Sequence, residues 1–168
     1  HGWLYTQKLT TLGCEGYFLD KHAKAIQFNA KTFASLDDTC GFFKAETTWF
    51  WLSCNFWWQG QHRVGLSLSQ GEHASTDNSL WLDGVLYPLG EVIFQQLDDG
   101  AWQVRSQDTG IELHIENTWS RSEKVNFRFS SSQFKQWQSK ISGKITINQH
   151  VITLNAEYGI FEQHARKL

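Results

Sequence analysis

The sequence predicts an all-β fold, an antiparallel up-and-down barrel. Three observations carry this. Apolar and polar residues alternate with a period of two along most of the chain. Turn-forming pairs recur between the alternating runs. No long apolar stripe of helical period interrupts them.

Taken in order, Val64, Leu66 and Leu68 alternate with Gly65, Ser67 and Ser69. Ile111, Leu113 and Ile115 alternate with Glu112, His114 and Glu116, and Val125, Phe127 and Phe129 with Asn126, Arg128 and Ser130. Ile141, Ile145 and Ile147 alternate with Ser142, Lys144 and Thr146. Each run reads as a strand with one wet face. Gln59-Gly60, Asp83-Gly84, Asp99-Gly100, Thr109-Gly110 and Asn148-Gln149 fall between such runs, and Asp-Gly supplies the positive φ of a tight hairpin. About ten short strands with few long connections favour a barrel, which closes its own edges. Two stretches depart from the pattern. Ser69 to Ser79 is polar and reads as a loop. Ser131 to Ser139 holds Phe134 and Trp137 three residues apart, which allows one helical turn.

A chain of 168 residues suits one domain, 1–168, large enough for a core of its own. A net charge of −2 gives no electrostatic footprint for nucleic acid. No stretch approaches the apolar length of a membrane span, and no signal-peptide pattern opens the chain. The chain has no methionine and begins at His1, so it is expected to be a processed or excised piece of a longer protein. Cys14, Cys40 and Cys54 have neither a disulfide framework nor zinc spacing, and read as reduced thiols, buried or half-buried. A reducing, cytoplasmic location is compatible with them. The histidines at 22, 62, 73, 114 and 150 are scattered, so neither a metal site nor a cofactor is expected.

The most informative segment is Leu36 to Trp58, where Asp37 and Asp38 precede a run holding four of the nine tryptophans. One face of that run carries Trp49, Trp51, Ser53, Asn55 and Trp57; the other carries Phe50, Leu52, Cys54 and Phe56. A strand apolar on both faces is covered on both sides. It is either a central core strand or the wall of a pocket, and the excess of Trp favours the pocket. Asp37 and Asp38 read either as a general acid with its partner or as turn carboxylates; adjacent strand residues point to opposite faces. Glu162 and His164 share a face of the last strand and read as an oriented acid–base pair or as a half-exposed ladder pair. Tyr158 would extend their row. Arg63 could stack on Trp57 or Trp58 across a hairpin.

The ordered motifs resemble a bacterial lipocalin-like family of unknown function, similar to the AttH proteins and carotenoid 1,2-hydratases of the calycin superfamily. The carrying residues are Asp37, Gly41, Trp49 and Trp51; Arg63 to Leu68; Asn78, Trp81, Asp83 and Gly84; Ser142-Gly143; and Gly159, Glu162 and His164. The resemblance spans nearly the whole chain. It implies a lipocalin-like barrel that is the C-terminal portion of a longer protein, a second barrel in the missing N-terminal part of the same protein as partner, and an apolar, lipid-related ligand. It also makes Asp37 the better of the two aspartates. The chain departs from the pattern where Asp38, Cys40 and Phe43-Lys44 stand in place of a His, an Arg and an aromatic-Pro step.

Three readings of function follow. The first is a binding module that holds an apolar or amphipathic small molecule, with Trp49, Trp51 and Trp57 lining the barrel cavity and Asp37, Asp38, Arg63 and Tyr158 contributing polar contacts. The second is a hydratase, isomerase or pericyclase in the same cavity, with Asp37 as acid and Glu162 and His164 assisting. The third is a carbohydrate-binding β-domain, which requires the tryptophans to face solvent.

Overall fold

The computed structural model describes residues 3–42, 44–71, 76–106 and 110–167. Phe43, His73 and Thr109, named above, lie outside the described residues. Thirteen strands are described: β1 (Trp3–Gly13), β2 (Tyr17–Leu19), β3 (Ala25–Gln27), β4 (Phe33–Phe42), β5 (Glu46–Trp58), β6 (His62–Gln70), β7 (Ser79–Leu82), β8 (Val85–Pro88), β9 (Val92–Gln96), β10 (Trp102–Ser106), β11 (Ile111–Asn126), β12 (Ser131–Ile147) and β13 (His150–Lys167).

Nine of these form one antiparallel sheet in the order β8-β7-β6-β5-β13-β12-β11-β10-β9. Every neighbour is sequential except β5 and β13, so the expected up-and-down barrel is joined first strand to last. The ladder is open between β8 and β9, and the sheet is a curled half-barrel rather than a closed cylinder. Asn78 and Gln70 hold the curl at this opening. The buried Asn78 side chain accepts from the Ser69 N–H (2.6 Å) and donates to the Gly90 carbonyl (3.1 Å), while Gln70 accepts from the Phe94 N–H (2.6 Å).

The concave face is filled. Leu52, Val64, Leu66, Leu68, Leu80, Val104, Ile115, Ile141, Ile145, Ile152 and Phe161 are fully buried there. Phe50 of β5 meets Phe94 of β9 at 5.9 Å and Trp102 of β10 at 5.2 Å, which shows how far the sheet curls onto itself. Phe161 stacks on Phe94 (5.6 Å) and Trp137 (5.0 Å). Burial of these rings is the main favourable term of the fold.

Asp83 takes the positive φ expected of an Asp-Gly turn, and so do the turn residues Gln59 and Asn148. Asp83 also accepts from the Arg63 N–H (2.8 Å) and from His62 Nδ1 (2.7 Å), which accounts for the aspartate of the Asn-x-x-Trp-x-Asp-Gly motif. The Ser-Gly pair is equally structural. Ser142 Oγ accepts from the Ala156 N–H (3.1 Å), and a Cβ on Gly143 would lie 2.1 Å from the Glu112 carbonyl oxygen.

Three expectations are corrected. Ser131 to Ser139 holds no helical turn; it opens β12. An odd spacing puts Phe134 on the convex face against His164 and Trp137 in the core against Phe161, so the i,i+3 pair reflects two faces of a strand. Phe127 and Phe129 are not strand residues. They sit on a hairpin tip closed by bonds between Phe127 and Ser130, 72% and 83% exposed. Of the cysteines, Cys54 is buried and Cys14 half-buried, but Cys40 is exposed.

Outside the nine-stranded sheet, β1 and β4 pair into a separate antiparallel ribbon, with the β2–β3 hairpin between them in sequence. The ribbon lies on the convex face of β5 and β6. Asn55 anchors it, accepting from the Thr11 N–H (3.0 Å) and donating to Ser35 Oγ (2.6 Å). Phe33 stacks on Trp57 (5.1 Å), whose Nε1–H donates to the Lys31 carbonyl (3.2 Å). Gly65 permits the close approach: a Cβ there would stand 2.3 Å from Thr10 Oγ1. Strand β5 is thus covered on both faces.

Candidate functional site

The tryptophan row of β5 faces the ribbon, not the inside of the barrel. Cross-strand register makes this unavoidable. Trp51 is paired with Ser69, Ser53 with Ser67 and Asn55 with Gly65, while Cys54 is paired with Leu66 and Leu52 with Leu68. The aliphatic residues of β6 fill the concave side, so the Trp row shares the other face with the small polar residues. The expected cavity inside the barrel is therefore replaced by a cleft outside it.

Beyond the Asn55 anchor, the ribbon and the sheet enclose a cleft of about 380 Å³. Trp49, Trp51, Ser69 and Glu162 line it from the sheet; Leu4, Thr6, Lys8, Asp37 and Thr39 line it from the ribbon. This volume is in the range of small-molecule sites. The lining is mixed, with two indole faces, several hydroxyls and a set of charges. Trp51 donates from Nε1 to Ser67 Oγ (3.0 Å), fixing its ring. Ser69 is buried on the same face, and among the described residues its hydroxyl has no hydrogen-bond partner. Buried hydroxyls are seldom left so.

Asp37 and Glu162, 125 positions apart in the chain, are brought to this one cleft by β4 and β13. Asp37 is ion-paired with Lys8, and Thr39 Oγ1 stands 3.4 Å from its other oxygen. The Lys8 ammonium also lies 4.7 Å from the centre of the Trp51 ring. Glu162 accepts from Gln136 Nε2 (2.5 Å). Burial pushes its carboxyl above the ordinary value; the Gln136 bond opposes this, the Asp37 charge adds to it, and Lys8 and Arg121 oppose it. Register places Glu162 directly opposite Trp51.

His164 lies one step along the same face. Its ring is 4.2 Å from that of Trp49, and Nε2 is 2.8 Å from Ser132 Oγ. Burial, then the Arg166 charge, lowers its pKa, so the imidazole is biased neutral. Glu162 and His164 thus share a face as expected, but bond to β12 partners rather than to each other.

The remaining candidates are not brought to the cleft. Asp38 is paired in register with Gln7, so it projects from the other face of the ribbon. Arg63 is paired with Trp57, but the cation over a tryptophan of this row is Lys8. Trp57 is under the ribbon's anchored end, against Phe33. Tyr158 is 59% exposed, with the Lys140 ammonium 6.0 Å from its ring.

Lys8, Thr6 and Thr39 are site residues that sequence reasoning missed. The alternation Thr6-x-Lys8 and Asp37-x-Thr39 was their only signal, and nothing in it shows which face of the ribbon meets the sheet. Among the described residues, no group of three or more His, Cys, Asp or Glu is placed to hold a metal, and no helix is long and apolar enough to cross a membrane. The enzyme reading asks Asp37 to donate a proton to carbon. Here Asp37 is a carboxylate acceptor anchored by Lys8, and that reading is not favoured.

A family model described as a domain of unknown function (DUF2804) matches residues 2–168, so the chain belongs to that family. No curated protein matches it in sequence. Among solved structures, kievitone hydratase from Nectria haematococca is similar at 11% identity with a TM-score of 0.50, over 95% of this chain and 52% of that one. A protein assigned as AttH from Nitrosomonas europaea is similar at 11% identity with a TM-score of 0.46, over 72% of this chain and 51% of that one. The chain spans about half the length of these structures. At such identity the likeness is one of fold: an all-β, lipocalin-like half-barrel.

Proposed function

We propose that this member of the DUF2804 family binds an amphipathic small molecule in the cleft between the β1–β4 ribbon and the convex face of the sheet. The observation that carries the reading is the lining itself. Two indole faces, Trp49 and Trp51, stand beside the Lys8–Asp37 pair and Glu162 in a cleft of about 380 Å³. A flat apolar portion of the ligand would lie on the indoles, burying area worth ~25 cal/mol per Å². The polar portion would meet the carboxylates and the threonine hydroxyls. This polarity argues for an amphipathic ligand over a wholly apolar one, which would strip water from Asp37 and Glu162 without replacing it.

The test is native mass spectrometry of the chain, with organic extraction of whatever co-purifies, followed by titration of the extracted compound against tryptophan fluorescence. The expected result is a discrete mass whose binding is weakened at least about tenfold by Trp49→Ala and unaffected by Trp119→Ala, a surface indole outside the cleft. A ligand that binds Trp49→Ala as tightly as the wild type would remove the cleft as the site.

A further inference from the structure

We infer that the head group this cleft selects is cationic, a protonated amine or quaternary ammonium seated over the indoles beside Glu162. The inference deepens the reading above and rests on it.

The charges lead there. Lys8 and Asp37 neutralise each other across the ribbon. Among the described residues, Glu162 has only the neutral Gln136 amide bonded to its carboxylate, although burial works against its ionised form. Acting on it or lining the same cleft are Asp37 on β4, Lys8 on β1, Arg121 on β11, Gln136 on β12 and Asp77 just before β7, with His164 and Arg166 along its own strand. Of these cations, Lys8 is taken by Asp37. Arg121 lies 3.8 Å from Glu123 and stacks on Phe134 at 5.7 Å. Among the described residues no cation is paired with Glu162, and this carboxylate, directly opposite an indole, forms two sides of an ammonium cage. The molecule itself shows that the seat takes such a group, because the Lys8 ammonium lies over the Trp51 ring at 4.7 Å. An anionic head group would have to enter a cleft lined by Asp37, Asp77 and Glu162 for the sake of one lysine already engaged.

Two consequences follow. A bound cation favours the ionised form of Glu162, so affinity rises with pH through the range where Glu162 titrates. Lys8 competes with the ligand for the indole face, so neutralising Lys8 tightens cation binding instead of weakening it.

Tryptophan fluorescence titration of the whole chain with three probes of similar size tests this: benzyltrimethylammonium, benzyl alcohol and toluenesulfonate. The expected result is that the ammonium binds at least about fivefold tighter than the alcohol. That margin should vanish in Glu162→Gln and widen in Lys8→Gln. Equal binding of ammonium and alcohol, both lost in Trp49→Ala, would overturn the cationic head group and leave the amphipathic cleft standing. Tightest binding of the sulfonate would also overturn it, making Lys8 the recognition element. Binding of no probe into the millimolar range would count against both. If Lys8→Gln does not give a native circular dichroism spectrum, Glu162→Gln and a salt titration decide: the ammonium's margin over the alcohol must shrink as salt rises.

Discussion

Gly65→Ala tests whether the ribbon is docked as described, and with it the existence of the cleft. Gly65 lies within β6 beneath the ribbon, and its backbone needs no glycine conformation, so the effect of a Cβ is steric. That Cβ would stand 2.3 Å from Thr10 Oγ1, 2.6 Å from Thr10 Cβ and 3.2 Å from Asn55 Oδ1. These distances are well inside van der Waals contact, and overpacking of this kind costs ~1–3 kcal/mol. The ribbon can relieve it only by lifting, which stretches the 3.0 Å bond from the Thr11 N–H to Asn55 and forfeits ~1 kcal/mol more. Against this, alanine gains ~0.5–1 kcal/mol over glycine within a strand. The net cost is about 2 kcal/mol, a fall in Tm of about 4–8 °C for a chain of this size. Lifting the ribbon also uncovers Trp51 and Trp57, so acrylamide should quench tryptophan fluorescence more strongly. The double mutant Thr10→Gly/Gly65→Ala removes the obstructing atoms. It should recover most of the loss, at little polar cost because the Thr10 hydroxyl has no partner among the described residues. Unchanged Tm and quenching in Gly65→Ala, or simple additivity in the double mutant, would refute the docking.

Asn78→Ala leaves the Ser69 N–H and the Gly90 carbonyl unmet at the mouth of the half-barrel, and should cost ~2–4 kcal/mol by urea denaturation. Phe161→Ala removes the ring that joins Phe94, Trp102 and Trp137, and should cost ~3–5 kcal/mol in the same assay. Burial, with a smaller push from the Glu157 charge, raises the Cys54 thiol to about 12. A disulfide reagent at pH 8 should therefore label Cys40 first and Cys14 next, reaching Cys54 only in denaturant. The raised pKa of Glu162 fixes a sign as well. As pH rises from its ordinary value of 4.5, the unfolded chain releases this proton before the folded one does. The folded state thus loses stability up to the raised pKa. Glu162→Gln should remove that loss, so wild type minus variant stability falls across this window and is flat above it.

How much of this was legible in the sequence turns on one loop. The alternation of β6, of the first half of β11 and of the second half of β12 set their faces, and the Asp83 and Asn148 turns fell where residue chemistry put them. Strand β5 was different, because both its faces are aromatic or aliphatic and its own period cannot say which side points inward. The hairpin to β6 decides. A two-residue turn at Gln59-Gly60 would pair Trp58 with Gln61, putting Trp57 opposite His62, Trp51 opposite Leu68 and the whole tryptophan row inside the barrel. The loop instead holds three residues, Gln59 to Gln61, closed by a bond from the Gln61 N–H to the Trp58 carbonyl (3.3 Å), and pairs Trp58 with His62. That one-residue shift turns every side chain of β5 over, and the indoles go out beneath the ribbon. The meeting of Asp37 with Glu162 was less legible still. It depends on a ribbon joined to the sheet by Asn55, Trp57 and the bare backbone of Gly65, and such docking leaves no periodic trace. The Gly65 in an otherwise regular strand was the one available sign that another backbone comes close there.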